Sequence, residues 1–177
     1  MELEIQRKVE KMYYRVDPKF KNKLLKSPGG ETFKFCYQCG TCTATCPIAR
    51  FTDIFRPNKI IHLAKLGVRN VVFSDAVWLC VNCYSCTERC PQGVRVADVM
   101  RALKNLAVED GYIPDFSKAF LTTILETGWV YAIPASRMSK RESDGLPPLA
   151  TPTIADIKKL AETTDVIKLL GKEGVAE

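Results

Sequence analysis

The chain of 177 residues has a single histidine, His62, and no apolar run approaching the roughly 18 residues that would cross a bilayer. Its least polar stretch, Phe120 to Ser136, is broken by Glu126, Gly128 and Pro134. The opening Met1-Glu2-Leu3-Glu4-Ile5 is acidic and leads into no apolar segment, so no secretory signal is expected there. No Gly-x-Gly-x-x-Gly follows a strand-like run, and there is no phosphate loop and no nucleophile elbow. Flavin, nicotinamide and acyl-transfer sites are therefore not expected, and no side-chain set stands out as catalytic. Strand signals are also scarce, because Val71-Val72-Phe73 is too short and isolated to argue for a sheet. Eight cysteines are too few for a short disulfide scaffold, where about 8–10% is usual. In a reducing cytoplasmic setting they are expected to be metal ligands.

What is present is a globular composition, 46% hydrophobic and 26% charged, with a formal charge of +6. Lysine and arginine are spread along the chain rather than grouped with aromatics, so no nucleic-acid partner is expected. The densest basic stretch, Arg7–Lys26, suits either a solvated helix face or an acidic protein partner. Metal-bound cysteines are thiolates, and two cubane clusters of about −2 each would lower the net charge to about +2. Much of the apparent basicity would then be counter-charge.

The centre of the chain repeats itself. Cys36, Cys39, Cys42 and Cys46-Pro47 return 44 residues later as Cys80, Cys83, Cys86 and Cys90-Pro91, with Thr43 matching Thr87 and Gly67 matching Gly111. Each cysteine loop leads into a helix. The first is signalled by Pro57, by Ile60, Leu63 and Leu66 on one face, and by Gly67 as its stop. The second carries the stripe Val96, Val99, Leu103, Leu106, Ala107 and stops at Gly111. Around this core, Ile5, Val9 and Met12 suggest a short helix, and Asp17-Pro18 opens another that runs through Leu25 to the break at Ser27-Pro28-Gly29-Gly30. Ser74 or Asp75 should cap a helix leading into the second loop, and Ser117 one that ends at Gly128. Pro134 to Pro152 reads as an extended docking arm, Thr153 and Asp156 as a capping box, and the tail after Gly171 as frayed.

The spacing C-x2-C-x2-C-x3-C-P is that of two-cluster bacterial ferredoxins, in which the proline-linked fourth cysteine serves the other cluster. One [4Fe-4S] cluster would accordingly be held by Cys36, Cys39, Cys42 and Cys90, and a second by Cys80, Cys83, Cys86 and Cys46. Zinc would need only paired ligands separated by a longer loop, and disulfides would leave the doubled spacing unexplained. Thr43 and Thr87 hydroxyls and backbone N–H groups are candidate donors to cluster sulfurs, and Tyr37 and Tyr84 candidate shields from water. His62, Trp78 and Trp129 read as packing or surface residues. Two clusters without a substrate site make an electron relay.

Cys36-Tyr37-Gln38-Cys39-Gly40-Thr41-Cys42-Thr43 with Cys46-Pro47, the segment Arg56 to Gly67, and the second motif resemble the small iron–sulfur C subunit of heterodisulfide reductase. The resemblance covers roughly residues 30–112 closely and is extended more loosely by the chain length, the Gly29-Gly30 lead-in and the Leu146-Pro147-Pro148 stretch. It implies an all-α fold, an alpha-helical ferredoxin domain over 31–112. This domain would be flanked by a helical arm over 1–30, a helix over 113–133, and an extended, proline-rich segment over 134–177 that ends in a helix. It also implies a hetero-oligomeric complex. In such a complex this chain relays electrons from a flavin-containing A subunit to the catalytic B subunit, which reduces the mixed disulfide of coenzyme M and coenzyme B. No flavin is expected on this chain. The eight-cysteine pattern alone also occurs in relays serving organic-acid dehydrogenases and sulfur-metabolism complexes. A regulatory iron–sulfur or zinc-binding protein is the remote alternative.

Overall fold

A computed structural model describes residues 16–150, 152–164 and 166–170. Every regular element among them is helical, and the one strand-like pairing is an isolated antiparallel bridge between Val16 and Val68. The expected helix around Ile5, Val9 and Met12 and the tail after Gly171 lie outside the described residues. The chain divides into two compact units, one running to Tyr112 and one from Ile113.

In the first unit, α1 (Pro18–Lys26) begins where the sequence places it. Asp17 accepts a hydrogen bond from the Lys19 N–H at 2.8 Å, and proline occupies the first helical position. Phe20 and Leu24 on its inner face are buried, so from Pro18 onward the expected arm belongs to the core. A tight turn follows. A Cβ on Gly30 would stand 1.9 Å from the Leu24 carbonyl oxygen. Beyond the 3-10 turn Glu31–Phe35 come α2 (Thr41–Ala44), a 3-10 turn at Ile48–Arg50 and α3 (Pro57–Leu66). Arg56, just ahead of α3, binds the Ala49 carbonyl at 2.8 Å and pairs with Asp53, which closes the intervening loop. Val71-Val72-Phe73 forms part of a 3-10 turn, Arg69–Phe73, with Val71 and Val72 in the core. Next, α4 (Asp75–Trp78) is capped by Ser74, which accepts from the Ala76 N–H at 3.2 Å. Then come α5 (Ser85–Glu88) and the long central helix α6 (Val96–Glu109).

The stripe on α6 is the spine of this unit. Val96, Val99, Met100, Leu103, Leu106 and Ala107 are all buried, together with Leu24, Phe33, Phe55, Ile61, Val72 and Val77 from the surrounding elements. Each large aliphatic side chain removed from water here contributes about 1.5–3 kcal/mol.

The 44-residue repeat is kept in the cysteine loops and changes in the helices that follow. Pro57 and Val96 open the two helices 39 residues apart, because five fewer residues separate Cys90 from its helix. The second helix is 14 residues long against 10, about one extra turn, so its glycine stop still falls 44 residues after Gly67. Both ends close alike. Val68 N–H reaches the Leu63 carbonyl at 2.9 Å, and Tyr112 N–H that of Ala107 at 2.8 Å.

The second unit contains α7 (Asp115–Thr127), α8 (Ala135–Ser143), α9 (Ile154–Thr163) and α10 (Val166–Leu170). Three expectations change here. Helix α7 starts two residues before Ser117, with Pro114 ahead of it and Asp115 complementing the helix dipole in the first turn. The stretch from Pro134 to Pro152 is not extended throughout, because Ala135–Ser143 is helical with Pro134 at its N-cap. Thr153 occupies the N-cap of α9 but makes no side-chain cap bond. Gly128 ends α7 at φ +76° and lies against Pro152, where a Cβ would come within 2.4 Å of the ring. None of the helices among the described residues is long and apolar enough to cross a membrane.

Candidate metal centre

Helices α2 and α5, each only four residues long, place the last two cysteines of each motif. Cys42 lies within α2 and Cys86 within α5, both buried, and Cys46 is buried just beyond α2. The chain between the first three cysteines is bent by left-handed residues at matching places. These are Gln38 (φ +66°) and Gly40 (φ +80°) in the first loop, and Asn82 (φ +51°) and Tyr84 (φ +63°) in the second. Left-handed residues flank Cys39 in the first loop and Cys83 in the second, so the two loops bend alike. Glycine meets this requirement in the first loop without steric cost.

In the second loop a tyrosine sits where glycine would be easier, and its side chain is anchored. The Tyr84 hydroxyl donates to Asp98 at 2.9 Å. Asp98 is fully buried near the start of α6 and pairs with Arg95 at 2.6 Å and Arg101 at 2.7 Å. Gly29 lies close against the same aspartate, where an added Cβ would stand 3.0 Å from the Asp98 Cβ and 3.1 Å from its carbonyl oxygen, which ties the Gly29-Gly30 lead-in to the second motif. Asp98 is absent from the residues that spacing nominates. Its signal in the sequence is an acid set within the apolar face of a helix.

The eight thiols divide between two cavities. One, with about 330 Å³ of space including its open mouth, is lined by Cys36, Cys39, Cys42 and Cys90 with Tyr37 and Asn58. The other, of about 360 Å³, is lined by Cys46, Cys80, Cys83 and Cys86 with Phe55, Tyr84 and Met100. Each cavity thus takes three cysteines from one motif and the proline-linked cysteine of the other. Val96, at the start of α6, lines both and stands between them. Among the described residues no three His, Cys, Asp or Glu side chains gather as a single-ion site. The donor set is all sulfur, four thiols to a cavity with no histidine or carboxylate, a set that zinc and iron–sulfur clusters share. Thiols spread around a cavity without three of them converging on one ion position fit the larger cluster.

The thiols are graded in acidity by position. Burial, followed by the neighbouring Cys36 thiolate, pushes Cys42 up to about 11, outweighing the hydrogen bond from Thr43. Burial, followed by Cys80 and Cys42, does the same to Cys86. Cys39 and Cys83 are exposed, and both are lowered, chiefly by hydrogen bonds from the Thr41 and Ser85 hydroxyls. Burial also raises Cys80, so one cavity has a single deep thiol raised by burial and the other has two, each cavity with one thiolate-prone sulfur at the surface. The deep thiols must give up their protons when metal binds.

The threonines of the repeat serve mainly to join each loop to its helix. Thr43 Oγ1 accepts from the Asn58 N–H at 3.1 Å and donates to Asn58 Oδ1 at 2.6 Å, while Thr87 Oγ1 accepts from the Ala97 N–H at 3.1 Å. They act as caps on α3 and α6, worth about 1 kcal/mol each, and Thr43 also stands within hydrogen-bond reach of the Cys42 sulfur. Of the two expected shields, Tyr84 is partly buried at its cavity and Tyr37 is 58% exposed beside the other. His62 is exposed, whereas Trp78 packs against the core with Lys104 above its ring.

Residues 32–94 match the family model of a 4Fe-4S dicluster domain. Over 88% of its length the chain is 36% identical to the C subunit of the H(2):CoB-CoM heterodisulfide,ferredoxin reductase of Methanothermobacter thermautotrophicus, covering 84% of that protein. The chain belongs to the C-subunit family of heterodisulfide reductases. Two further members have similar coverage. The iron-sulfur C subunit of the CoB--CoM heterodisulfide reductase of Methanopyrus kandleri is 35% identical over 77% of this chain and 74% of its own. The C subunit of the Ferredoxin:CoB-CoM heterodisulfide reductase of Methanosarcina mazei is 34% identical over 85% of this chain and 89% of its own. Iron–sulfur clusters are the cofactors of the matched domain, and the all-sulfur lining of both cavities suits this family.

Proposed function

We propose that this chain is the electron relay of a heterodisulfide reductase complex, passing single electrons from a flavin-containing A subunit to the B subunit that reduces the coenzyme M–coenzyme B disulfide. Two [4Fe-4S] clusters would be held crosswise, one by Cys36, Cys39, Cys42 and Cys90, the other by Cys80, Cys83, Cys86 and Cys46. The observation that carries this reading is the division of the eight thiols between two cavities that share the wall residue Val96. Bound there, such clusters supply reversible one-electron chemistry.

The remaining tasks fall to the chain's own residues. Burial of Cys42, Cys46 and Cys86 with Phe55, Val96 and Met100 keeps water from the inner side of each cavity. Exposed Cys39 and Cys83 bring the outer side to the surface, within reach of a partner. Phe35 and Tyr37 near one mouth, and Val81 at the other, are exposed apolar side chains suited to such a contact. A flavin-containing partner is what the resemblance implies, and a heterodisulfide-reducing one is what the resemblance and the relatives' names suggest.

The test is rapid mixing, without oxygen, of the chain with its flavin-containing partner and its disulfide-reducing partner. Cluster absorbance should bleach when the reduced flavoprotein is added. It should recover only when both the disulfide-reducing partner and the heterodisulfide are present. Bleaching without recovery would point to a different terminal enzyme.

A further inference from the structure

Lys65 and Lys104 occupy equivalent places in the two halves of the first unit. Lys65 Nζ donates to the Cys36 carbonyl at 2.5 Å, and Lys104 Nζ to the Cys80 carbonyl at 2.8 Å. Each lysine lies seven residues, about two turns, beyond the residue whose N–H the motif threonine caps, namely Asn58 on α3 and Ala97 on α6. A threonine at one end and a lysine at the other thus clamp each cysteine loop along one face of its helix. Both lysines are partly buried, and neither has a carboxylate partner among the ion pairs of the described residues. A bond to one carbonyl would need only an uncharged donor. An ammonium drawn partly out of water and left without a carboxylate is costly unless negative charge gathers nearby.

We propose that Lys65 and Lys104 are positioning residues that each fix the first cysteine of their own motif and set the reduction potential of the centre that cysteine serves. The proposal rests on the two-cluster reading above. Reduction adds negative charge to a cluster, so a fixed positive charge favours the reduced form and raises the potential. Because Cys36 and Cys80 serve different centres, each lysine should act on one centre only. Lys104 also lies 5.7 Å from the centroid of the Trp78 ring, where less water screens its charge, so its effect should be the larger.

The test uses the full chain prepared without oxygen, as wild type, Lys65→Gln, Lys104→Gln and the two Lys→Arg variants. Iron and sulfide are assayed first, and each preparation is then titrated by electron paramagnetic resonance at controlled potential. Each glutamine variant should lower one midpoint, a different one in each. At the wild-type midpoint the oxidised-to-reduced ratio should rise about tenfold for Lys104→Gln, or about 59 mV for one electron. The arginine variants, which keep the charge, should restore it. Unmoved midpoints with full iron content would overturn the proposal, as would equal shifts in the glutamine and arginine variants, or iron loss that arginine does not repair. A wild-type chain without sulfide would instead refute the cluster reading, so the two failures are distinguishable.

Discussion

Replacing Cys46 by alanine is expected to destroy the centre whose other three cysteines lie 34 or more residues further along the chain. About half the iron and sulfide should be lost, or a three-iron remnant left, while the signal of the Cys36–Cys39–Cys42 centre persists. Local spacing alone would suggest the opposite, because Cys46 is only four residues from Cys42. The structure lines the cavity of Cys80, Cys83 and Cys86 with Cys46, and the other cavity with Cys90. Cys90→Ala should give the mirror image, sparing the second motif's centre. Loss of the first motif's signal in Cys46→Ala, with the second intact, would refute the crossed assignment. The crossing also has a mechanical consequence. Each centre would be a covalent tie between the two repeats, so either variant should loosen the packing of α2 against α5 as well as remove a cluster.

Gly30→Ala should be strongly destabilising. The backbone of Gly30 (φ −84°) is one that alanine accepts, so the penalty is purely steric. The added methyl would meet the Leu24 carbonyl oxygen at 1.9 Å and that of Ser27 at 3.2 Å, backbone atoms that cannot swing aside. Relief requires α1 to move off the core, which exposes Phe20 and Leu24. A cost of about 3 kcal/mol follows, or a fall of roughly 10 °C in melting temperature for a chain of this length. Gly145→Ala is the control. It has open space around it and φ +66°, so only the left-handed penalty of about 1 kcal/mol applies. Equal melting temperatures for the two variants would show that α1 is not held as the structure has it.

Pattern and punctuation make much of the first unit legible. Proline at the start and glycine at the stop bound α3, the stripe from Val96 to Ala107 marks α6, and Asp17-Pro18 marks α1. In each case local chemistry and tertiary burial agree. The second unit is harder to read for a physical reason. Helix α8 has the sequence Ala-Ser-Arg-Met-Ser-Lys-Arg-Glu-Ser, buries none of its residues, and follows a proline that reads equally well as linker or N-cap. Without an apolar stripe, periodicity carries no signal there.

At the site, spacing nominates the cysteine ligands because a cubane needs closely spaced thiols. It says nothing of their surroundings. Thr43 and Thr87 cap helices 10 to 15 residues away, the two lysines reach back 24 and 29 residues, and Thr32 binds the Arg95 N–H across 63. Such contacts are products of the fold and leave no local pattern. The left-handed backbone at Tyr84 is likewise sustained by the buried Asp98, not by anything in the loop itself.

The most direct measurement is the iron and acid-labile sulfide content of the chain, purified without oxygen, together with its Mössbauer spectrum. About eight irons and eight sulfides per chain, in two cubane environments, are expected. One or two zinc ions with no sulfide would contradict the account at its base.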